Sequence, residues 1–178
     1  MTAFVAPRVL KFAPISDCDV RYTSAFSLPP ELPKHAQQTL DVFVPQNFDR
    51  LSVVMPVLFF LHGGSLDKES SRRIAKGISR NGVVVVAPHC TLGERDEERL
   101  YYSQLASQWI YDHVGWYGGD GNNVSAFGVG QGTTLVQALA KSCQNLIKNT
   151  LCLQQSTVKS SVQFEEEILA ANYQQFFF

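Results

Sequence analysis

The sequence contains few cysteines and lacks long apolar runs, and each shortage excludes a class of protein. Its four cysteines, in 178 residues, lie too far apart for a zinc knuckle or a CxxC redox site. No apolar segment reaches the ~20 residues that a membrane-spanning helix needs. Residues 1–12 lack the continuous apolar core of a secretory signal, so they indicate no compartment. We predict free, buried thiols, although a disulfide stays open.

The charge balance also excludes several functions. The net charge is −1 and the lysines and arginines are scattered, which argues against binding to nucleic acid or an anionic membrane. There is no cluster of metal ligands and no phosphate-binding loop in the sequence, so we expect neither a metal nor an organic cofactor. A mixed run of acidic and basic residues at 94–99 is interpreted as the solvated start of a helix rather than a docking surface.

The hydrophobic pattern indicates one domain that follows an irregular segment. Residues 1–36 are rich in proline and are predicted to be an irregular lead-in, whereas residues 37–178 are predicted to form the domain. Residues 39–44 alternate between apolar and polar, which predicts a strand with one solvated face. Residues 55–61 and 82–87 are continuous apolar runs, typical of strands in a parallel sheet covered on both faces.

Helical spacings separate these strands, and shorter strand-like runs follow. Apolar residues recur every three or four positions over three stretches, which predicts amphipathic helices. The alternation of strands and helices indicates an α/β fold with a mostly parallel sheet and flanking helices. The predicted helices cover residues 66–80, 96–114 and 131–147, the short strands residues 124–127 and 150–153, and a possible last helix residues 165–175.

A glycine-rich turn, GVGQG, follows the predicted strand at 124–127. Its spacing matches the Gly-x-Ser-x-Gly nucleophile elbow, a sharp strand-to-helix turn that exposes a serine. Gly128 and Gly132 occupy the two outer glycine positions, and Gly130 stands where the serine would be. Since glycine has no side chain, it cannot form an acyl intermediate. The sequence therefore predicts an elbow without a nucleophile and no catalytic residue.

Part of an oxyanion hole is predicted beside this turn. The run HGGS at 62–65 follows the apolar strand, where loops of this kind offer backbone N–H groups to a developing oxyanion. We predict that Gly63, Gly64 and Ser65, together with the N–H of Gln131, are the remnant of that hole.

The sequence indicates neither a substitute nucleophile nor a base. Ser125 is predicted within a strand, and Thr133 and Thr134 within a helix, unlike the exposed tip of an elbow. In this architecture the acid and the histidine follow the nucleophile along the chain. All four histidines precede Gly130, and we interpret His62 as a packed loop residue rather than a base.

Residues 38–156 resemble the type-B carboxylesterase and cholinesterase family of α/β-hydrolases. The most specific match is WIYDHVGWYGGDGNNVSAFGVGQG at 109–132, which is similar to the family pattern WVxxNIxxFGGDPNNVTxFGxSxG. Weaker matches are LDVFVP at 40–45 and HGG at 62–64. The resemblance implies the N-terminal part of an α/β-hydrolase fold, with Gly130 in place of the family's serine and Ser65 in place of its third oxyanion-loop glycine.

The resemblance also implies a role. Non-catalytic members of the family, such as the neuroligins, have glycine at the serine position. From the family pattern we expect this chain to lack the half of the domain that would carry the acid and the histidine. It therefore implies an inactive esterase-like module with a protein partner, and a secreted, endoplasmic reticulum or cell-surface location. Two alternatives stay open, namely a carboxylic ester hydrolase with an unrecognised nucleophile and a truncated isoform without function. The sequence indicates neither the partner nor the oligomeric state.

Overall fold

One mixed sheet forms the centre of the molecule. The structure is a computed structural model that describes residues 16–22, 38–45, 54–62, 66–89 and 95–154, together with Gln163, Glu166 and Ile168. The strands in these residues are β1 (Ser16–Arg21), β2 (Thr39–Phe43), β3 (Met55–Leu61), β4 (Val84–Pro88), β5 (Gly119–Val129) and β6 (Ile147–Leu153). Their spatial order is β1-β2-β4-β3-β5-β6. Strands β4, β3, β5 and β6 are parallel to their neighbours in this series, whereas β2 pairs antiparallel with both β1 and β4. The predicted α/β fold with a mostly parallel sheet is therefore confirmed.

Helices connect the parallel strands. Within the described residues they are α1 (Lys68–Ser79), α2 (Asp96–His113) and α3 (Gly132–Ser142), with one turn of 3-10 helix at Val114–Tyr117. Helix α1 begins after Asp67, whose carboxylate accepts a hydrogen bond from the backbone N–H of Ser70 at 2.8 Å. The predicted third helix is too long, because Cys143 leaves helical geometry and Ile147 already pairs with Val124.

Helices cover both faces of the sheet, and the apolar core therefore has two layers. Helix α1 covers one face, where its Ile74, Ala75 and Ile78 cluster with Leu58, Phe60, Val85 and Phe127. Helices α2 and α3 cover the other face, where Ala106, Ile110, Val136 and Leu139 cluster with Val57, Phe59, Val86 and Ala126. Burial of both faces explains why β3 and β4 have continuous apolar sequences.

Strand β2 differs from its prediction, because neither of its faces is solvated. Leu40 to Phe43 are all buried, including the side chain of Asp41. Strands β1 and β4 flank β2 in the sheet, and α1 places Arg72 against Asp41 with Nε 2.7 Å from Oδ2. The alternating pattern therefore reflects a buried, paired carboxylate rather than exposure to water.

Strand β1 lies within the segment predicted to be an irregular lead-in, so that prediction is wrong for residues 16–21. The pairing with β2 includes a bulge at Asp19, a non-glycine residue with φ of 59°. Asp19 donates its backbone N–H to Asp41 Oδ1 at 2.7 Å, and Asp17 accepts a hydrogen bond from the Tyr117 hydroxyl at 2.8 Å. These partners lie far along the chain, so the local sequence does not reveal the strand.

Several smaller predictions are also tested. Strand β5 begins at Gly119, which pairs with Met55, and is longer than predicted. Of the possible last helix, Glu166 and Ile168 are described and lie in helical backbone, and Ile168 is fully buried. Among the described residues, no helix is both long and apolar enough to cross a bilayer. The three described cysteines are free, as predicted, but Cys18, Cys143 and Cys152 are exposed or half-buried rather than buried.

Candidate functional site

The elbow, residues 128–132, connects the end of β5 to the start of α3. Gly130 has φ of 57°, in the left-handed region that glycine adopts without strain. Its N–H donates to the carbonyl oxygen of Leu153 at 3.0 Å, which holds the turn against the end of β6. Its carbonyl oxygen accepts from Thr133 N at 3.2 Å and from Thr133 Oγ1 at 2.8 Å. The turn is therefore tight, and its central residue carries no side chain.

The outer glycines of the elbow are required by close packing of backbones. A Cβ atom on Gly128 would lie 2.6 Å from the carbonyl oxygen of Gly132. A Cβ atom on Gly132 would lie 1.9 Å from the carbonyl oxygen of Leu61, at the end of β3. Because these neighbours are backbone atoms, no side-chain movement can relieve the overlap. Gly128 and Gly132 therefore bring β3, β5 and α3 together at this edge of the sheet.

The hydroxyl groups near the elbow are engaged by backbone carbonyls or buried. Thr133 Oγ1 donates to the carbonyl of Gly130, and Thr134 Oγ1 donates to the carbonyl of Gln131 at 2.9 Å. Ser125 lies within β5 and is 2% exposed. These placements agree with the predicted strand and helix positions.

One thiol also lies beside the elbow. Cys152 on β6 is opposite Gly128 in the register of the sheet, and its Sγ lies 3.9 Å from the carbonyl oxygen of Thr133. Burial raises the pKa of the Cys152 thiol. A raised pKa lowers the fraction of the cysteine that is present as thiolate, and the thiolate is the nucleophilic form.

His62 follows β3 directly and is buried, as predicted for a packed residue. Neither of its ring nitrogens has a hydrogen-bond partner among the described residues, and its side chain lies near the ring of Phe60. Burial, followed by the nearby His89, lowers the pKa of His62 from 6.5 to about 4. The imidazole is therefore neutral at physiological pH.

The other predicted parts of the oxyanion hole divide into two groups. Gly63, Gly64 and Ser65 lie outside the described residues, so their predicted role stays a prediction. Gln131 is described, has an exposed side chain and accepts a hydrogen bond from Arg99 Nη1 at 3.4 Å through its Oε1. Gln131 lies directly after Gly130, where the predicted backbone donor belongs, and its role as a donor stays a prediction.

The two other described histidines contact residues away from the elbow. His113 stacks on the ring of Trp109 at 5.2 Å, and its Nδ1 lies 3.0 Å from the Trp109 carbonyl oxygen. His89 Nε2 lies 2.9 Å from Asp41 Oδ2. His35 lies outside the described residues. The described part of the chain therefore places no histidine in hydrogen-bond contact with a hydroxyl or thiol of the elbow.

A cluster of charged residues links β1, β2 and α1, and sequence analysis missed it. Asp19, Asp41 and His89 each offer an atom within 4.8 Å of the others, a spacing that a metal ion could use. However, Arg72 binds Asp41 and Asp19, and Lys68 binds Asp19, so two cations already occupy these carboxylates. The cluster is therefore an ion-pair network, and its members are too far apart in sequence to form a motif.

The Asp41 carboxylate is the centre of this network. Burial alone would raise its pKa, but hydrogen bonds from His89 and Arg72 more than offset that effect and hold the pKa well below its ordinary value. Hydrogen bonding to Asp41 likewise raises the pKa of Arg72. Both groups are therefore charged in the folded protein.

Comparison with known proteins identifies the fold. No family model matches the chain. Among solved structures, it is similar to a fungal esterase from Rhizomucor miehei, with 18% identity, a TM-score of 0.60 and coverage of 76% of this chain and 42% of that one. It is similar to the esterase Est22, with 18% identity, a TM-score of 0.61 and coverage of 83% and 47%. It also matches Thermogutta terrifontis esterase 2, with 16% identity, a TM-score of 0.57 and coverage of 79% and 57%.

These similarities extend over most of this chain but only part of each esterase. The chain spans 42% to 57% of the length of these three structures. At such low sequence identity the likeness concerns the fold, and it does not distinguish the type-B branch from other esterases. Together with the sheet order and the elbow, it shows that the described part of the chain has the α/β-hydrolase fold of these esterases.

Proposed function

We propose that this chain is a carboxylesterase-like module that does not hydrolyse esters and instead binds a protein partner. The single observation that carries the proposal is Gly130, which occupies the centre of the elbow with φ of 57° and offers no nucleophilic atom. Loss of the nucleophile from a catalytic triad costs about a million-fold in rate. The elbow keeps its shape without its chemistry.

The surroundings of Gly130 support the absence of a substitute. Thr133 and Thr134 donate their hydroxyl hydrogens to carbonyls of the elbow itself. The Cys152 thiol is disfavoured by its raised pKa. A nucleophile also needs a base within hydrogen-bond reach. His89 and His113 contact other groups, and neither ring nitrogen of His62 has a hydrogen-bond partner among the described residues.

The sequence resemblance supports the second half of the proposal. The block at 109–132 resembles the non-catalytic, neuroligin-like branch of the type-B carboxylesterases, whose members have glycine at the position of Gly130. Such members use the fold as a binding surface. We propose both the neuroligin-like branch and the protein-binding role from the sequence resemblance, because the structural neighbours are esterases that share only the fold with this chain.

Covalent labelling tests the proposal directly. The solved structure of one neighbour, Thermogutta terrifontis esterase 2, shows that esterase phosphorylated by paraoxon. We would incubate this chain with paraoxon and with a fluorophosphonate probe, measure its intact mass, and assay hydrolysis of p-nitrophenyl acetate. The expected result is no adduct and no hydrolysis above the buffer rate.

A serine restored to the elbow gives a sharper test. Gly130→Ser should not produce hydrolysis, because no histidine ring among the described residues forms a hydrogen bond with the elbow. Gly130→Ala is the matched control, since it adds the same Cβ atom without the oxygen. An adduct on the unmodified chain, or turnover that Gly130→Ala removes, would favour the alternative of an active carboxylic ester hydrolase and overturn the proposal.

A further inference from the structure

Strand β1 is the outermost strand beside β2 in the described sheet, and it buries little apolar surface. None of its six residues is buried, whereas residues 40–43 of β2 are all buried. Val20, the only aliphatic residue of β1, is half-buried against the core. Because burial of apolar surface is the main favourable contribution to folding, β1 gains little stability from that source.

The backbone ladder between β1 and β2 is also interrupted. Asp17 pairs with Val42 and Val20 pairs with Leu40, and the register shifts between these two pairs. Asp19 lies in the resulting bulge with φ of 59°, a conformation that aspartate and asparagine tolerate better than most residues with a side chain. A bulge leaves a residue without its ladder partner. The pairing of β1 therefore depends strongly on its side chains.

Two aspartates supply the side-chain contacts that fasten β1. The Asp19 carboxylate pairs with Lys68 Nζ and with Arg72 Nη2, the latter at 3.0 Å, and we call these two ion pairs the latch. Asp17 Oδ2 accepts a hydrogen bond from the Tyr117 hydroxyl at 2.8 Å. The side chains of Asp19 and Lys68 are 51% and 46% exposed. Water and salt therefore weaken the attraction within the latch.

The rest of the ion-pair network does not need β1. Arg72 Nε lies 2.7 Å from Asp41 Oδ2 and His89 Nε2 lies 2.9 Å from the same atom, and these contacts join β2 to α1 and to the end of β4. When β1 leaves, Asp41 loses only the N–H of Asp19 and gains access to water. Opening of β1 thus leaves no buried charge without a partner, so its cost stays local.

We propose that β1 is a detachable edge strand that opens while the other five strands stay paired, and that the latch controls how often it opens. Opening frees the backbone N–H and C=O groups of β2, which then becomes the edge of the sheet. The opening should respond to ionic strength, because salt screens the exposed latch more than the buried pair of Arg72 and Asp41. Strands β2, β4 and β3 separate β1 from the strand that leads into the elbow, so this device is independent of the function proposed above.

Hydrogen exchange of the full chain, followed by NMR, tests the proposal. The N–H groups of Asp19 and Tyr22 donate to Asp41 Oδ1 and to the Gln38 carbonyl oxygen, and they report on β1. The N–H groups of residues 57–59 report on the centre of the sheet. At low salt we expect Tyr22 to exchange at least about tenfold faster than residues 57–59 and at least about tenfold more slowly than an unfolded chain.

The same experiment measures the response to salt. Ionic strength is raised from about 0.1 M, where the Debye length is about 10 Å, to about 1 M, where it is about 3 Å. Exchange of Tyr22 should become about fivefold faster, because exposed ion pairs are weak and are screened by salt. Exchange of residues 57–59 should change less than about twofold, because their opening does not involve the latch.

Three variants identify the latch. Asp19→Asn removes the charge and keeps a residue that tolerates positive φ, and Lys68→Met removes one of the two cations. Each should speed exchange of Tyr22 about fivefold at low salt and reduce its salt dependence. Lys76→Met removes an exposed cation from the last turn of the same helix, and as the matched control it should change this rate less than about twofold. Exchange of residues 57–59 in each variant checks that the fold is retained.

Several results would overturn the proposal. Equal exchange rates for Tyr22 and residues 57–59 would show that β1 opens only when the whole protein unfolds. Exchange of Tyr22 at the unfolded rate at low salt would show that no latch holds the strand. A rate that neither salt nor Asp19→Asn changes, or one that Lys76→Met changes as much as Lys68→Met, would remove the assignment to Asp19. Paraoxon labelling of the same samples reports only on the elbow, so the two proposals fail separately.

Discussion

Arg72 on helix α1 and Asp41 on strand β2 form an ion pair whose carboxylate is completely buried. Arg72 Nε lies 2.7 Å from Asp41 Oδ2, and the Asp41 side chain is 0% exposed. Asp41 also accepts the backbone N–H of Asp19 at 2.7 Å, and Arg72 Nη2 lies 3.0 Å from the Asp19 carboxylate. One pair of residues therefore joins α1, β2 and the bulge of β1.

Removal of Arg72 should destabilise the protein strongly. Arg72→Met would leave the buried carboxylate of Asp41 with fewer donors, and breaking such a pair typically costs about 3 kcal/mol. We expect that loss in the free energy of unfolding, measured by urea denaturation near neutral pH. Lys76→Met is the matched control, because Lys76 is exposed on the same helix, and it should cost less than about 0.5 kcal/mol. Equal losses in the two variants would contradict a special role for Arg72.

The depressed pKa of Asp41 predicts loss of stability in acid. Its folded-state pKa lies below the unfolded value of about 3.9, so the unfolded state binds the proton more readily. The stabilisation is complete above that value and is lost as the pH falls toward the folded pKa. Urea denaturation between pH 2 and 5 should show this decline in the parent chain and a shallower one in Asp41→Asn. An identical slope in both proteins would rule out Asp41 as its source.

The lowered pKa of His62 predicts a second loss of stability, at a higher pH than the loss caused by Asp41. Because the fold favours the neutral imidazole, with a pKa lowered from 6.5 to about 4, the unfolded state binds more protons in that interval. Stability should therefore fall as the pH drops from 6.5 to about 4, by an amount on the order of 3 kcal/mol. His62→Leu should remove this slope while leaving the Asp41 decline at lower pH. Persistence of the slope in His62→Leu would contradict the assignment.

Gly132 should tolerate no side chain, whereas Gly115 should accept one. In Gly132→Ala the new Cβ atom would lie 1.9 Å from the Leu61 carbonyl oxygen, so strands and helix must separate, and we expect a loss of about 3 kcal/mol or more. Gly115 in the 3-10 turn has nothing within 4 Å of such an atom. Gly115→Ala should therefore be neutral or stabilising by about 0.5 kcal/mol. Thermal denaturation of the two variants measures the difference, and a similar melting temperature for both would refute the close packing at the elbow.

Local patterns were enough to predict the elements that are buried in a regular way. The apolar run at 55–61 corresponds to β3 at both ends, and the helix predicted at 66–80 corresponds to α1 within two residues at each end. Periodicity predicts such elements because burial on two faces, or on one helical stripe, imposes a repeating requirement on consecutive residues. The glycine spacing at 128–132 also indicated a tight turn, and Gly130 does have positive φ.

Long-range contacts explain what the patterns missed. Strand β1 has no strong apolar pattern and is held by Asp41, Arg72 and Tyr117, which lie 22 to 100 residues away from their partners in sequence. Asp41 resembles a solvated residue in the sequence, and only the arrival of Arg72 and His89 from other elements makes its burial possible.

The sequence by itself thus specifies the alternation of strands and helices and the glycine at the centre of the elbow, because both depend on neighbouring residues along the chain. The edge strand β1 and the buried ion-pair network depend on which elements meet in space. A charged side chain such as Asp41 can be buried only where donors from distant segments surround it. The residues next to Asp41 in the sequence do not reveal those donors.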